Sequence, residues 1–148
     1  MSLDELYREV ILDHYRNPRH RGHLDAPTAH AEGQNPLCGD EVFLDVKVED
    51  GRIAEVAVTG QGCSISQASA SMMADAISGR TLDEVAGLAG RFRAMMDIED
   101  GDAGLDADRP GGTLGDLEAL QGVRRFPVRI KCANLPWTTL AEALESSG

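Results

Sequence analysis

Three cysteines and one aspartate are the residues of this chain most able to do chemistry. Cys38 and Asp40 stand two positions apart across Gly39, so both side chains can turn toward one metal ion from an open loop. Cys63 follows a glycine-rich turn and precedes a predicted helix, whose positive N-terminal end favours the thiolate form. With Cys132, three thiolates and one carboxylate would fill a tetrahedral metal site.

Two basic residues lie just before the last cysteine. Arg129 and Lys131 precede Cys132 by three positions and by one. Four anionic ligands around a divalent ion leave two excess negative charges, which these cations could offset. Taken singly, each cysteine is about as often a buried packing residue as a ligand. The polar, glycine-containing surroundings shift the interpretation toward metal binding.

The histidines and serines have simpler interpretations. His14 lies on the apolar face of the first predicted helix and is expected to be a packing residue, whereas His20, His23 and His30 are expected to be exposed in loops. The serines after Cys63 lack the G-x-S-x-G context of a nucleophile, so we interpret them as capping and packing residues. No histidine has the context of a base beside a thiol, which argues against a cysteine protease.

Apolar residues at helical spacing and capping signals predict five helices. In chain order these run from Ser2 to Asn17-Pro18, over residues 66–78, from the Thr81 and Glu84 capping box through Met95, over residues 114–123, and from Pro127 onward. Pro136 would interrupt the last helix, so either a kink or a later helix start is expected there.

A small antiparallel sheet is predicted between the first two helices. Residues 42–48 and 53–58 alternate or are rich in β-branched residues, and a short turn joins them as a hairpin. Residues 63–65 offer a short third strand. Residues 26–40, with their prolines and glycines, are interpreted as a long surface loop.

Composition limits the class of protein. A chain of 148 residues can form one ordinary domain with its own core. Its 14 Lys and Arg against 25 Asp and Glu give a net charge of -11, which disfavours nucleic acid and anionic membranes as partners. No apolar run approaches the roughly 18 residues of a membrane span, and the first residues show neither the basic segment nor the apolar core that a signal peptide needs. We therefore expect a cytoplasmic protein, in which three cysteines indicate metal binding or reactivity rather than disulfides.

Several specific motifs follow one another along nearly the whole chain. They are Leu6-Tyr7-Arg8, Asp13-His14-Tyr15, Asn17-Pro18-Arg19, Asn35-Pro36-Leu37-Cys38-Gly39-Asp40, Gly60-Gln61-Gly62-Cys63-Ser64-Ile65-Ser66, Ala68-Ser69-Ala70-Ser71, and Arg129-Ile130-Lys131-Cys132-Ala133 with Trp137. Together they resemble the SufU/IscU iron-sulfur cluster assembly family. The resemblance is closer to the SufU branch, because residues 115–120 lie in an extra segment of that branch, and because Lys131 stands where the IscU branch has histidine.

This resemblance implies an α+β fold of the SufE/NifU-N type, with a small, mostly antiparallel three-stranded sheet packed by about five helices in a single domain over residues 1–148. It also implies a zinc-dependent sulfurtransferase, with Cys38, Asp40, Cys63 and Cys132 as zinc ligands. Such a protein accepts persulfide sulfur from a pyridoxal-phosphate cysteine desulfurase of the SufS type. It passes the sulfur to the downstream iron-sulfur assembly machinery.

The resemblance makes Cys38 the sulfur acceptor, and a physical argument supports this role. A thiolate held by zinc is a weak nucleophile, so one ligand must be released, and Cys38 lies in the loop with most proline and glycine. We expect the desulfurase to supply a replacement ligand, a histidine as the resemblance implies. Arg129 and Lys131 are further candidates at the reaction site, Arg129 to steady the incoming persulfide. The loop from Arg16 to His23 and the region of Cys38 are candidate docking surfaces.

Two other functions use the same ligands. The protein could be a scaffold on which a [2Fe-2S] cluster is assembled and transferred, since cysteine and aspartate also hold iron. It could instead be a structural zinc-binding adaptor, in which the metal closes the fold and the surface binds partners.

Overall fold

A three-stranded sheet and five helices make up the described part of the chain. The computed structural model describes residues 3–35, 39–98, 101, 103–105, 108–109 and 111–147. The elements in chain order are α1 (Leu3–Arg16), β1 (Ala29–Asn35), β2 (Asp40–Glu49), β3 (Arg52–Gln61), α2 (Ser64–Ile77), α3 (Leu82–Met95), a 3₁₀ helix (Gly115–Arg125) and α4 (Pro127–Ser147). This arrangement confirms the predicted α+β fold class.

The hairpin of β2 and β3 was predicted from the sequence and is confirmed. The strand order is β1-β2-β3, and both pairs are antiparallel. Asp50 and Gly51 connect β2 to β3 with φ values of 54° and 73°. Positive φ at both central residues is the type I′ turn, whose twist matches that of a two-stranded ribbon.

The third strand of the sheet is β1, and the predictions for this part of the chain were wrong. Residues 29–35 are a strand rather than part of a loop, and Ser64 and Ile65 begin α2 instead of forming a strand. The core side of β1 carries Ala29, Ala31 and Gly33, while exposed polar residues alternate with them. Strands are enriched in β-branched and aromatic residues, and alanine and glycine are neither. The alternation of inward small residues and outward polar residues was therefore present in the sequence, but the residue types did not indicate a strand.

The small residues of β1 are explained by the helix that lies on it. α4 packs against β1 and β2, and a side chain added at Gly33 would overlap the Thr139 hydroxyl of α4. Helix and strand therefore approach more closely here than a larger residue would permit.

The core lies between the sheet and two helices, α2 and α4. Val42, Leu44 and Val46 of β2 are completely buried on this side of the sheet. Four methionines are buried as well, and their apolar side chains fill the core: Met72, Met73, Met95 and Met96. α1 and the 3₁₀ helix pack on the outer side of α2.

His14 is a packing residue with both ring nitrogens satisfied, as the sequence indicated. It is 1% exposed, its Nδ1 lies 2.8 Å from Ser71 Oγ, and its Nε2 lies 2.8 Å from Asp116 Oδ2. One imidazole thus joins α1, α2 and the first turn of the 3₁₀ helix.

A second buried group, Glu118, accepts hydrogen bonds from the amides of residues 111, 113 and 114 and so fixes the chain where it enters that helix.

α4 begins at Pro127 and continues through Pro136. A proline removes one donor from the helix and exposes carbonyls of the preceding turn. The Ser69 hydroxyl of α2 donates to the carbonyl of Ala133 at 2.6 Å, which supplies a donor beside this break.

At the opposite end of the sheet, the capping box of Thr81 and Glu84 opens α3 as predicted. Within the described part of the chain, no helix is long and apolar enough to cross a membrane.

Asp45 lies on the face of the sheet away from α2 and α4. It is 5% exposed and accepts hydrogen bonds from the Leu24 amide at 3.0 Å and from His30 Nδ1 at 2.5 Å. His23 Nδ1 lies 3.6 Å from the same carboxylate. His23 and His30 are exposed, as predicted, but His30 lies in β1 rather than in a loop. Both histidines hold residues 23–30 against the sheet.

We predict that Gly33→Ala destabilises the protein by about 1–3 kcal/mol, because the new methyl group would overlap Thr139. Gly87→Ala in α3 is the matched control, since no atom lies within 4 Å of a side chain added there. The control should be unchanged or up to about 1 kcal/mol more stable. Urea unfolding of both variants measures the difference, and equal stability of Gly33→Ala and the wild type would contradict the close packing of α4.

We also predict a pH-dependent contribution of His30 to the free energy of unfolding. The hydrogen bond to Asp45 raises the pKa of His30 above 6.5, and the contact with Glu32 adds to this. Burial alone would raise the pKa of Asp45, but hydrogen bonds from His30 and the Leu24 amide bring that pKa below 3.8. Asp45 therefore stays ionised above pH 5.

A raised folded-state pKa stabilises the protein fully below the unfolded value of 6.5, and the effect is lost as the pH rises through the folded value. The stability difference between the wild type and His30→Asn should therefore be greatest near pH 5.5 and shrink toward pH 9. It should stay below about 1 kcal/mol, because His30 is half exposed. Urea unfolding across this range measures it, and a difference that does not change with pH would refute the role of the ion pair.

Candidate metal centre

Three of the four predicted ligands converge in the structure. A carboxylate oxygen of Asp40 and the Sγ atoms of Cys63 and Cys132 all lie within 4.8 Å of one another. The three residues come from β2, the start of α2 and α4, so the folded sheet and helices bring them together. Cys38, the fourth predicted ligand, lies outside the described residues.

Asp40 is the first residue of β2 and is 1% exposed. Its Oδ1 accepts a hydrogen bond from the Cys63 amide at 2.8 Å, and its Oδ2 lies 3.8 Å from Cys63 Sγ. A carboxylate taken out of water needs such donors or a cation, because an unpaired buried charge is costly. The hydrogen bond to Cys63 fixes one oxygen and leaves the other beside the sulfur.

Cys63 depends on the glycine that precedes it. Gly62 has a φ of 142°, and a side chain added there would overlap the Asp40 carboxylate. The backbone can therefore leave β3, pass against Asp40 and enter α2 within two residues. Cys63 is the N-cap of α2, and its carbonyl accepts from Ser66 Oγ and the Gln67 amide.

This cap position sets the electrostatics around the sulfur. The N-cap position places Cys63 at the end of α2 whose first backbone N–H groups have no partner within the helix. Cys63 is half-buried, so the group opens toward solvent on its side.

Cys132 is completely buried in the second turn of α4. Its Sγ lies 3.7 Å from the side-chain amide nitrogen of Asn35 and 3.7 Å from the carbonyl oxygen of Val128. The Asn35 amide can donate to sulfur in either protonation state, and Val128 can accept from the thiol. Cys132 therefore forms the closed side of the group.

The donor set suits a thiophilic divalent cation. Two thiolates and one carboxylate are combinations that bind zinc, and a fourth ligand or water would complete a tetrahedron. Asp40 and Cys132 are buried, so a bound divalent ion would also neutralise charge that is kept from water. Three anionic ligands and one divalent ion together carry a net charge of -1.

Arg129 and Lys131 are both exposed on α4, one turn and one residue before Cys132. Among the described residues, neither side chain makes a hydrogen bond or ion pair with the three ligands. Arg129 instead lines a groove beside α1 and α2. Their predicted contribution to neutralising the ligands has no direct contact to support it.

Sequence reasoning missed Asn35 as a residue that supports the site. Asn35 is buried at the end of β1, pairs opposite Asp40 across the sheet, and contacts Cys132. Its position in the Asn35-Pro36-Leu37-Cys38 motif was noted, but a buried amide next to a proline carried no signal of its partner 97 residues away. Donors to ligating sulfurs tune and orient metal ligands, which is the role that this contact fits.

Comparison with known proteins adds three findings. Residues 6–133 match the family described as NifU-like N terminal domain. The chain is 43% identical to the zinc-dependent sulfurtransferase SufU of Bacillus subtilis over 97% of this chain and 92% of that protein, and 41% identical to the iron-sulfur cluster assembly scaffold protein IscU of Streptococcus pyogenes over 99% and 87%.

A solved structure agrees with the fold. The putative iron-sulfur cluster assembly scaffold protein for the SUF system from Fervidobacterium islandicum superposes with a TM-score of 0.82 at 32% identity, over 97% of this chain and 99% of that one. The sheet and helices described above are thus shared by proteins whose sequences differ at two thirds of their positions.

We predict that Asp40→Asn weakens zinc binding by more than roughly 100-fold, because it removes a charged ligand. Loss of a residue that only hydrogen-bonds to a ligand costs roughly 10–100-fold. An asparagine can still accept the Cys63 amide, so the fold should be retained. Asp50→Asn, in the β2–β3 turn, is the matched control and should bind zinc as the wild type does. Zinc titration with a competing chelator measures affinity and circular dichroism checks the fold; wild-type affinity of Asp40→Asn would remove Asp40 from the ligand set.

Proposed function

The chain belongs to the NifU-like N-terminal domain family of iron-sulfur cluster assembly proteins, and on this premise we propose that it is a zinc-dependent sulfurtransferase. It would accept persulfide sulfur from a cysteine desulfurase and deliver it to iron-sulfur cluster assembly. The convergence of Asp40, Cys63 and Cys132 is the observation that carries this proposal. The similarity to the Bacillus subtilis SufU supports the sulfurtransferase role.

The proposed zinc ligands are Cys38, Asp40, Cys63 and Cys132. The three described ligands fit zinc by donor type and by their mutual approach. Bound zinc would neutralise the thiolates and hold them at one point. Cys38 stands two residues before Asp40, and two residues of chain span at most about 7 Å, so connectivity keeps it within reach of the group.

We propose Cys38 as the sulfur acceptor, and the positions of the other two thiols support this choice. Cys132 is completely buried, and Cys63 is held by its amide hydrogen bond to Asp40. The Cys38 thiolate would attack the outer sulfur of the donor persulfide. A new S–S bond forms on Cys38, the S–S bond of the donor breaks, and the donor cysteine leaves as a thiolate.

The proposed partner is a cysteine desulfurase of the SufS type, with the downstream iron-sulfur assembly machinery as recipient of the sulfur. Arg129 lines the groove beside the ligand group and is proposed to steady the incoming partner or its persulfide. The cytoplasmic location stays a prediction from the sequence.

A scaffold for a transient [2Fe-2S] cluster is the second candidate function. The 41% identity to a protein named as an IscU scaffold favours it, and the same thiolates could hold iron. The two candidates differ in metal content. A sulfurtransferase should contain about one zinc per chain and no visible absorption, whereas a scaffold should form a coloured cluster that an apo-acceptor can take up.

We predict that Cys38→Ser abolishes the acceptance of labelled sulfur from a cysteine desulfurase while the protein still binds some zinc through its other ligands. Transfer of ³⁵S from labelled cysteine measures acceptance, and elemental analysis measures zinc. Ser78→Ala, at the opposite end of α2, is the control and should accept sulfur normally. Undiminished labelling of Cys38→Ser would refute the acceptor assignment, and a chain that unfolds without zinc and accepts no sulfur would favour the structural adaptor.

A further inference from the structure

A groove of about 540 Å³ lies beside the ligand group. It is bounded by α1, the first turn of α2, the end of the 3₁₀ helix and the start of α4. We call it the arginine groove, after the three arginines that line it: Arg8, Arg125 and Arg129. Ser64, the residue after Cys63, also lines it, so one end of the groove reaches the ligand group.

The charge of this groove is opposite to that of the protein as a whole. The chain has a net charge of -11, yet three exposed guanidinium groups come together here from three different helices. Within the part of the chain that the structure describes, the guanidinium groups of Arg8 and Arg129 have no ion-pair partner. Arginine is suited to carboxylates because its planar group can donate two parallel hydrogen bonds.

The wall of the groove is apolar. Tyr7, Ile11 and Ile65 line it, and Phe126 stands at its edge with 58% of its surface exposed. Val128, two residues on, is 57% exposed. Aromatic side chains and arginines are the residues that dominate the binding energy of protein interfaces, and exposed large apolar residues mark such surfaces.

The basic loop after α1 is a weaker docking surface than the sequence indicated. Arg19 already pairs with Asp13 at 2.6 Å, His20 lies 3.6 Å from Asp75, and His23 lies 3.6 Å from Asp45. Three of the five basic side chains between Arg16 and His23 therefore already have an acidic neighbour within the protein. In the arginine groove, by contrast, Arg8 and Arg129 have no counter-ion among the described residues.

We propose that the arginine groove docks an acidic segment of the sulfur donor protein, in which carboxylates flank an apolar side chain. The apolar side chain would fill the space between Tyr7 and Ile65, and the carboxylates would pair with Arg8 and Arg125. This inference rests on the proposed function, because it gives the sulfur donor its place on the protein. Arg129 precedes Cys132 by one helical turn, so a segment seated here holds the donor beside the thiols.

Charge reversal tests the groove. Arg8→Glu and the double variant Arg8→Glu with Arg125→Glu place carboxylates where the partner's carboxylates would bind. The Kd for the desulfurase, measured by calorimetry without its cysteine substrate, should rise about tenfold or more for the double variant. Arg91→Glu on α3 is the matched control: it is exposed and makes the same charge change, but lies outside the groove and outside the loop after α1. It should change the Kd by less than about twofold.

Two further measurements separate docking from chemistry and from folding. Labelling of the double variant by inorganic polysulfide, which needs no docking, should equal that of the wild type. Phe126→Ser, which removes apolar surface and no charge, should also weaken binding. The difference in Kd between wild type and the double variant should narrow as the salt concentration rises, because exposed charges are screened.

The outcomes are distinguishable. If the double variant binds the desulfurase as tightly as Arg91→Glu does, or if the wild type does not bind it, the groove is not the docking site. If the groove variants bind weakly but wild-type protein accepts no sulfur, the docking inference stands and the sulfurtransferase function falls. If anionic vesicles or a duplex DNA compete for the groove at the same salt concentration while the desulfurase does not, its partner is of another class.

Discussion

The hydrogen bond from the Cys63 amide to the Asp40 carboxylate is the contact on which the proposed site depends. It joins the first residue of the central strand to the first turn of α2, and Gly62 makes it possible by leaving room for the carboxylate. A single backbone donor, which is what the described part of the chain supplies, is a small compensation for a buried anion. The carboxylate is therefore both held in place and left in need of a positive charge, which describes a ligand prepared for a metal ion.

The two thiols of the described group have different surroundings. Cys132 lies in α4, which packs directly on β1 at Gly33, and Asn35 of the same strand contacts its sulfur. Its position is therefore fixed by the packing of helix on sheet. Cys63 belongs to a helix end and is half exposed. The group is thus closed on the side of the sheet and open on the side of α2, and the arginine groove begins on that open side. A partner can therefore reach the described ligands from the side of α2.

Much of this arrangement could be predicted from the sequence, and the parts that could not be predicted have physical causes. The β2–β3 hairpin has strong apolar alternation and a turn with two positive φ values, and α3 has a complete capping box, so both were recognisable. β1 was not, because its core positions hold alanine and glycine, chosen by the closeness of α4 rather than by strand propensity. The convergence of Asp40, Cys63 and Cys132 was expected from their residue types. The groove was not foreseen, since its arginines stand up to 121 positions apart and only the packing of four helices brings them together.

The buried carboxylate of Glu118 ties the 3₁₀ helix to the chain that enters it. It accepts from the amides of residues 111, 113 and 114, and His14 holds Asp116 in the same helix. The described residues after α3 contact this region as well: Asp97 pairs with Arg124, and the Gly104 carbonyl accepts from the Thr113 hydroxyl. A change in the length of the acidic stretch would therefore be felt at the helix that carries Arg125.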